Sequence, residues 1–408
     1  MGFNWIYLNP FHQPGFSGSL YAVKDYYRLH PLMQGDAESP PAELLRSFVR
    51  AACERDLHVM MDFVINHTSK DSLLVDEHPE FFLRTKDGAL VSPSAIDPAD
   101  ARKVTVWGDL AEIDYTPRPA RSKLMTFWKQ ILSHHAELGF RGFRCDAAYK
   151  VPGEVWEELI KEGRSHSDVV FFAETLGCRQ SEMEQLAGAG FDYFFNSAKW
   201  WDFRAPWLLD QYESFRHVAP SVAFPESHDT PRLATELAEN GVTEFRLVEA
   251  TYRLRYLFAT FFSSGVMMPM GFEYGYRRKL HVVSTRPQDV EQPLFDLTAF
   301  VARANQMKRE VAALREEGPQ RRLTSAKSPV VALLRATADG ASRALALINP
   351  SRDEAYTVPA QQLLGNLGQG WRLVCETGPD AMEGNLASGK QLRLRPLAMH
   401  VLASDSAG

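Results

Sequence analysis

Seven near-continuously apolar runs alternate with helical stretches along most of this chain, and no other feature constrains its fold as strongly. The runs are NWIYLNPF (4–11), LHVMMDFVIN (57–66), GFRCDAA (142–148), VVFFAET (169–175), FDYFFN (191–196), SVAFPE (221–226) and VMMPMG (266–271). Parallel strands buried on both faces read this way. Helical stretches fall near 41–55, 121–138, 153–163, 180–188, 243–262 and 296–314. Strand–helix alternation of this length implies a parallel sheet with crossovers, and a (β/α)8 TIM barrel is its natural closure. Only seven strands are counted, so the first barrel strand is expected to precede residue 4 and to be missing from this chain. An open barrel edge costs stability and invites aggregation.

The expected catalytic barrel comprises 1–66 and 121–317. Residues 67–120 read as an inserted loop or subdomain after a barrel strand, rich in Asp, Pro and Lys with little periodicity. A long excursion at the functional end of a strand is more often a lid or subdomain than filler. From 318 to 408 apolar runs such as PVVALLRAT, RALALINP and LRLRPLAMHVLA alternate or cluster between turn signals, which predicts a C-terminal antiparallel β-sandwich.

A chain of 408 residues with 45% apolar and 24% charged residues is ordinary globular protein. Its net charge of −6 points to neither a nucleic-acid nor an anionic-membrane partner. No apolar run approaches the roughly 20 residues that span a bilayer. The start MGFNWIYLNPF lacks the features of a signal peptide, so a cytoplasmic location is expected. The four cysteines, at 53, 145, 178 and 375, lack metal-ligand spacing and read as reduced thiols. Oligomeric state is not legible.

The chemistry sits at the C-terminal ends of the runs, where α/β barrels keep their active sites. Arg144 and Asp146 lie two apart and share a strand face. A guanidinium beside a carboxylate keeps it ionised, as a carboxylate nucleophile needs. Glu174 ends an apolar run, a place where a carboxyl can act as an acid near neutrality. Asp229 follows His228 in a loop bracketed by two prolines, and a further carboxylate there could stabilise a cationic transition state. His67 could donate a hydrogen bond to a sugar hydroxyl, or could equally be a buried histidine capping a loop. Each of these alone has a structural explanation, such as an ion pair at a strand end. Together they point to retaining glycoside hydrolysis, with one carboxyl as nucleophile and one as acid/base. Phe11, Tyr21, Tyr149, Trp200, Trp201 and Trp207 are candidates for stacking on sugar faces. A rival reading has Asp62, His67, His228 and Asp229 ligating a divalent metal, but no metal-binding pair spacing is present. A non-catalytic sugar-binding protein on the same fold is a second rival. Its expected mark is a lost nucleophile or acid, and neither is lost.

MDFVINHTS (61–69), GFRCDAA (142–148), FFAETLG (171–177) and FPESHDTPR (224–232) resemble, in order, the four signature regions of the α-amylase family of glycoside hydrolases, family 13. Residues 18–30, GSLYAVKDYYRLH, are similar to the family's segment after its second strand. The resemblance covers nearly the whole chain. It implies an enzyme cleaving α-1,4-glucosidic bonds through a covalent glycosyl-enzyme intermediate. Position by position, it implies Asp146 as nucleophile, Glu174 as acid/base and Asp229 as transition-state stabiliser. It implies Arg144, His67 and His228 as sugar-binding and orienting residues, and Tyr21 as the stacking tyrosine. The partner is then an α-glucan or maltooligosaccharide. Asn66 sits where many relatives have a calcium ligand; no cofactor is required, and calcium stays open. The texture around HPEFFLRTKDG is also similar to the maltosyltransferases that use maltose 1-phosphate. That branch usually has Thr-Pro-Asp where this chain has Ser227-His228-Asp229, and Asn where it has Ala147. Hydrolysis or glucan transglycosylation is therefore the expected activity, with maltosyl transfer as the alternative.

Overall fold

The structure is a computed structural model that describes residues 1–97, 100–116, 118–359, 367, 370–378, 382–383 and 391–405. The chain divides into two compact units, one of Phe3–Phe195 with Val282–Thr285, the other of Met1–Gly2, Asn196–His281 and Arg286–Gly408.

In the first unit five parallel strands stand in chain order: β1 (Trp5–Leu8), β2 (His58–Phe63), β3 (Gly142–Cys145), β4 (Val170–Ala173) and β5 (Tyr193–Phe195). β2 is buried from Val59 to Phe63 and β3 throughout, which explains their continuous apolar texture. Three long helices alternate with them: α1 (Pro41–Cys53), α2 (Pro119–Glu137) and α3 (Gly153–His166). Pro41 starts α1, where its missing N–H costs nothing, and Leu45, Val49 and Ala52 form its buried stripe. The strands are shorter than the apolar runs because each run ends in loop. Pro10 follows β1, and His12–Pro14 then pairs with Val23–Leu29 as an antiparallel hairpin. Residues 67–116 hold two short ladders, His67–Ser69 against Leu110–Glu112 and Ser94–Asp97 against Asp100–Val106.

The second unit carries two parallel strands, β6 (Ser221–Ala223) and β7 (Gly265–Val266), and the helices α4 (Leu233–Glu239), α5 (Phe245–Phe262) and α6 (Thr298–Glu310). The run at 266–271 keeps pairing only as far as Met267, whose N–H bonds Ala223 O. Pro269 and then Gly271, at φ +91°, end the strand. The helix expected over 296–314 breaks at Val311, whose extended backbone separates α6 from a short turn at Ala312–Arg315. The C-terminal strands form a five-stranded antiparallel sheet, in the order Gln320–Arg322, Val331–Ala336, Ser342–Ile348, Met399–Asp405, Arg372–Glu376. A three-stranded sheet joins Tyr356–Pro359, Gln391–Leu394 and Met382–Glu383. Val358, Leu392 and Leu394 of the smaller sheet share one apolar cluster with Ala332, Leu345, Leu347 and Leu402 of the larger. Buried Arg335 donates to Phe261 O and Glu316 O and pairs with Glu317. Glu317 in turn accepts the N–H groups of Ser221 and Ser264, just before or at the start of β6 and β7. That network satisfies backbone donors that burial would otherwise leave costly. The four cysteines are free thiols. Among the described residues no helix is long and apolar enough to cross a membrane.

Buried histidines give the first unit an acid sensitivity. His135 donates through Nδ1 to Ile131 O at 2.8 Å, so its Nε2 is the acceptor for His12 Nε2 at 3.2 Å. Both rings must be neutral, and burial holds His135 down to about 4 and His12 well below its ordinary value. With the folded pKa depressed, this stability is fully present above the unfolded value of about 6.5 and is lost as pH falls towards about 4. Chemical denaturation at a series of pH values should show the first unit weakening across that window. A flat stability from pH 7 to below pH 5 would contradict it.

Candidate active site

The site in the first unit grows from strand register. Asp62 on β2 pairs directly with Arg144 on β3, so their side chains share a face. Arg144 Nη1 donates to both Asp62 oxygens at 2.9 Å and to Asp146 Oδ1 at 2.6 Å. Tyr7, on β1, donates its hydroxyl to Asp62 Oδ2 at 2.6 Å, and Tyr21 donates to the same oxygen at 2.8 Å. The Arg144 guanidinium lies 6.0 Å from the Tyr21 ring centre. Asp62, Arg144 and Asp146 are all buried. Burial pushes the Asp62 carboxyl above its ordinary value, against the pull of Arg144. Burial also pushes the Tyr7 and Tyr21 phenols well up, so both remain donors at neutral pH. For Arg144, burial disfavours the charge, but Asp62 foremost outweighs it and the guanidinium stays protonated.

Glu174 comes from the neighbouring strand. Cys145 and Ala173 are paired across β3 and β4, so Asp146 and Glu174 are the next residues on adjacent strands. Such strands run about 4.8 Å apart. The pairing continues past the strand ends, with Glu174 N–H on Cys145 O at 3.1 Å. The Glu174 carboxylate accepts the N–H of Ala147 on Oε2 at 2.9 Å and that of Leu176 on Oε1 at 2.8 Å. Ala147 has φ 41° and ψ 47°, a left-handed conformation that turns the chain sharply after Asp146.

His67 is buried, with Nδ1 3.3 Å from Asn66 Nδ2. Burial takes it down to about 4, so it is neutral at physiological pH. Asn66 also gives its carbonyl to Ile113 N–H. Among the described residues no three His, Cys, Asp or Glu side chains are grouped to hold a metal ion.

His228 and Asp229 belong to the second unit. Their side chains meet at 3.3 Å, Nε2 to Oδ2. His228 is buried, whereas the Asp229 side chain is 61% exposed. Of the aromatic candidates, Phe11 and Trp201 are fully buried and belong to the core, where no sugar can reach them. Trp200 and Trp207 are exposed, and Tyr149 is partly buried. Two participants escape a reading by motif. Tyr7 looks like one more apolar strand residue, and Asp62 suggests a metal ligand until register places it against Arg144. The pairing of Asp62 with Arg144 across β2 and β3 reveals the first, and the pairing of β1 with β2 brings Tyr7 to it.

Three comparisons bear on this arrangement. A model of the glycogen debranching enzyme glucanotransferase domain matches residues 1–93. An alpha-1,4-glucan:maltose-1-phosphate maltosyltransferase of Burkholderia pseudomallei is 30% identical over 306 residues, covering 74% of this chain and 26% of that one. The chain spans about a quarter to about half the length of the first such relatives, 26% and 54% for two of them. Among solved structures, an α-amylase from Geobacillus thermoleovorans complexed with acarbose matches with a TM-score of 0.71 at 18% identity, over 100% of this chain and 89% of that one. A debranching enzyme of Nostoc punctiforme matches with a TM-score of 0.69 at 18% identity, over 99% and 86%. At such identities the structural likeness carries the fold.

Breaking the Arg144 clamp should be costly. Asp62→Ala leaves a buried guanidinium short of a partner and should destabilise the first unit by about 3–5 kcal/mol. Tyr7→Phe removes one hydrogen bond to a charged group and should cost about 1.5–3 kcal/mol. Urea denaturation of the two variants checks both the values and their order.

Proposed function

The chain belongs to the α-amylase family of glycoside hydrolases and is similar to its maltosyltransferases, and on that premise we propose that it is a retaining enzyme acting on α-1,4-glucans. The observation that carries this reading is the pair of carboxylates at neighbouring strand ends, Asp146 clamped by Arg144 and Glu174 held by Ala147 N–H. Retention needs two carboxyl groups about 5–5.5 Å apart, and adjacent parallel strands are spaced to supply that. The fold proposed around them is the (β/α)8 barrel with a C-terminal β-sandwich. The shared apolar cluster of the two C-terminal sheets supports the sandwich.

In the proposed cycle Glu174 protonates the glycosidic oxygen while Asp146 attacks the anomeric carbon. The C–O bond to the leaving glucan breaks as the bond to Asp146 Oδ forms. Asp229 opposes the positive charge that develops on the sugar ring, and His228 and His67 orient hydroxyls. Glu174 then takes a proton from water, and the resulting oxygen nucleophile displaces Asp146 with net retention. Tyr21 is proposed to stack on the sugar at the cleavage point. Arg144 keeps Asp146 ionised and aimed.

A second reading has a sugar rather than water as acceptor, with maltose 1-phosphate as donor. It is favoured by the name of the Burkholderia pseudomallei relative, an alpha-1,4-glucan:maltose-1-phosphate maltosyltransferase. Incubation with maltooligosaccharides, with and without maltose 1-phosphate, separates the two. Shorter products with retained anomeric configuration mean hydrolysis. Products lengthened by maltosyl units only when the phosphate is present mean transfer.

Asp146→Asn should abolish turnover by many orders of magnitude while circular dichroism and melting stay near the parent's. A variant keeping a tenth of parental activity would remove Asp146 from the role. Glu174→Ala should lose natural glucans yet retain measurable turnover of a glycosyl fluoride, with azide restoring part of the rate. Equal losses on both donors would count against Glu174 as acid/base.

A further inference from the structure

The loop that carries His228 and Asp229 is pinned by a buried pair that the cycle above does not use. Glu226 is fully buried at its start, and Arg232, 2% exposed, closes it. Arg232 Nη1 donates to Glu226 Oε1 at 2.6 Å. Glu226 Oε2 accepts the N–H of Leu233, the first residue of α4, at 2.9 Å. Arg232 reaches two further segments, donating through Nη2 to Met270 O at 2.8 Å and through Nε to Arg278 O at 3.1 Å. One guanidinium thus ties both ends of the loop to each other and to the chain beyond β7. Within the loop, Thr230 Oγ1 donates to Ser227 O at 3.2 Å and accepts Ser227 N–H at 3.3 Å. Pro225 and Pro231 narrow φ on either side. What stands between the pins is the His228–Asp229 pair, with Asp229 presented to solvent.

We propose that Arg232, working through Glu226, is the positioning residue of this loop and sets where the Asp229 carboxylate stands when charge develops on the sugar. The inference rests on the reading of Asp229 as transition-state stabiliser. A pair that only filled space could be exchanged for apolar side chains, since a buried ion pair is often no more stabilising than hydrophobic residues of the same volume. Here the guanidinium's planar fork is used in three directions, which a lysine cannot reproduce. A carboxylate acting on a transition state is sensitive to small displacements, so loosening the pins should lower kcat more than it raises KM.

The test compares the parent with Arg232→Lys and with the double variant Glu226→Leu/Arg232→Met, which keeps the volume buried and avoids a stranded charge. Melting, steady-state kinetics on maltooligosaccharides and amide hydrogen exchange over 227–231 are measured for each. The double variant should melt near the parent, lose kcat at least about tenfold with KM little changed, and exchange the Ser227 amide faster. Arg232→Lys should fall between the two. Parental kcat in a folded double variant, or unchanged exchange at Ser227, would overturn the proposal. Loss of kcat only in proportion to the unfolded fraction would overturn it too. A parent inactive on every glucan would overturn the glucan reading and with it the catalytic part of this proposal. The exchange data would then decide separately whether the pair holds the loop.

Discussion

One guanidinium organises the first unit's site. Arg144 sits on a buried strand where an unpaired charge would cost several kcal/mol, about the penalty of desolvating an ion in a protein interior. It is tolerated because Asp62 lies directly across the strand pair and Asp146 two residues on, each within 2.9 Å of Nη1. Tyr7 and Tyr21 then donate to Asp62, filling lone pairs that the guanidinium leaves open. Every member depends on another, so the cluster forms only when β1, β2 and β3 are in register. It holds two carboxylates against one guanidinium. On the proposed reading that surplus negative charge faces a sugar ring turning cationic, and burial strengthens the attraction by lowering the local dielectric.

The second unit solves a related problem by the same means. Glu226 and Arg232 make a buried pair at a strand end, as Arg144 and Asp62 do. The difference lies in what the pair presents. In the first unit Arg144 touches Asp146 itself. In the second, the pair bonds loop ends and carbonyls, and Asp229 stays exposed beside His228. The first arrangement governs the electrostatics of a carboxylate, the second its place. These are separable properties, and on the proposed reading a retaining mechanism calls on the first for a nucleophile and on the second for a stabiliser.

What was legible in the sequence follows from which forces are local. Strands such as Val59–Phe63 show in the text because burial on both faces demands unbroken apolar residues. The Arg144–Asp146 spacing shows because two residues along a strand share a face whatever the strand pairs with. The partnership of Asp62 and Arg144, 82 residues apart, depends on register between strands, and nothing within either segment announces it. The same holds for Tyr7, whose hydroxyl matters only because β1 lies beside β2. The strands are shorter than the apolar runs because apolar character continues into the loops, as at 267–271, where Pro269 and Gly271 end the pairing but not the hydrophobicity. Phe11 and Trp201 illustrate the opposite error, since an aromatic residue near a strand end fits core and rim equally well until burial decides.

Ala147 shows how the two strand ends are joined. A left-handed alanine costs roughly 1–2 kcal/mol relative to ordinary backbone. Nothing in its side chain compensates, as an Asn side chain could by local hydrogen bonding. The compensation is in the backbone. Its N–H bonds the Glu174 carboxylate, the next N–H, of Ala148, bonds Glu174 O at 3.1 Å, and its carbonyl accepts Lys150 N–H at 2.8 Å. A residue in ordinary strand geometry would carry the chain onward along β3 and aim this N–H elsewhere. The strained turn is therefore what couples Glu174 to the segment bearing Asp146. With Arg144 holding Asp146 from one side and the Ala147 turn holding Glu174 from the other, neither carboxylate relies on its own rotamer preference for its position, and their relation is fixed by the pairing of β3 with β4.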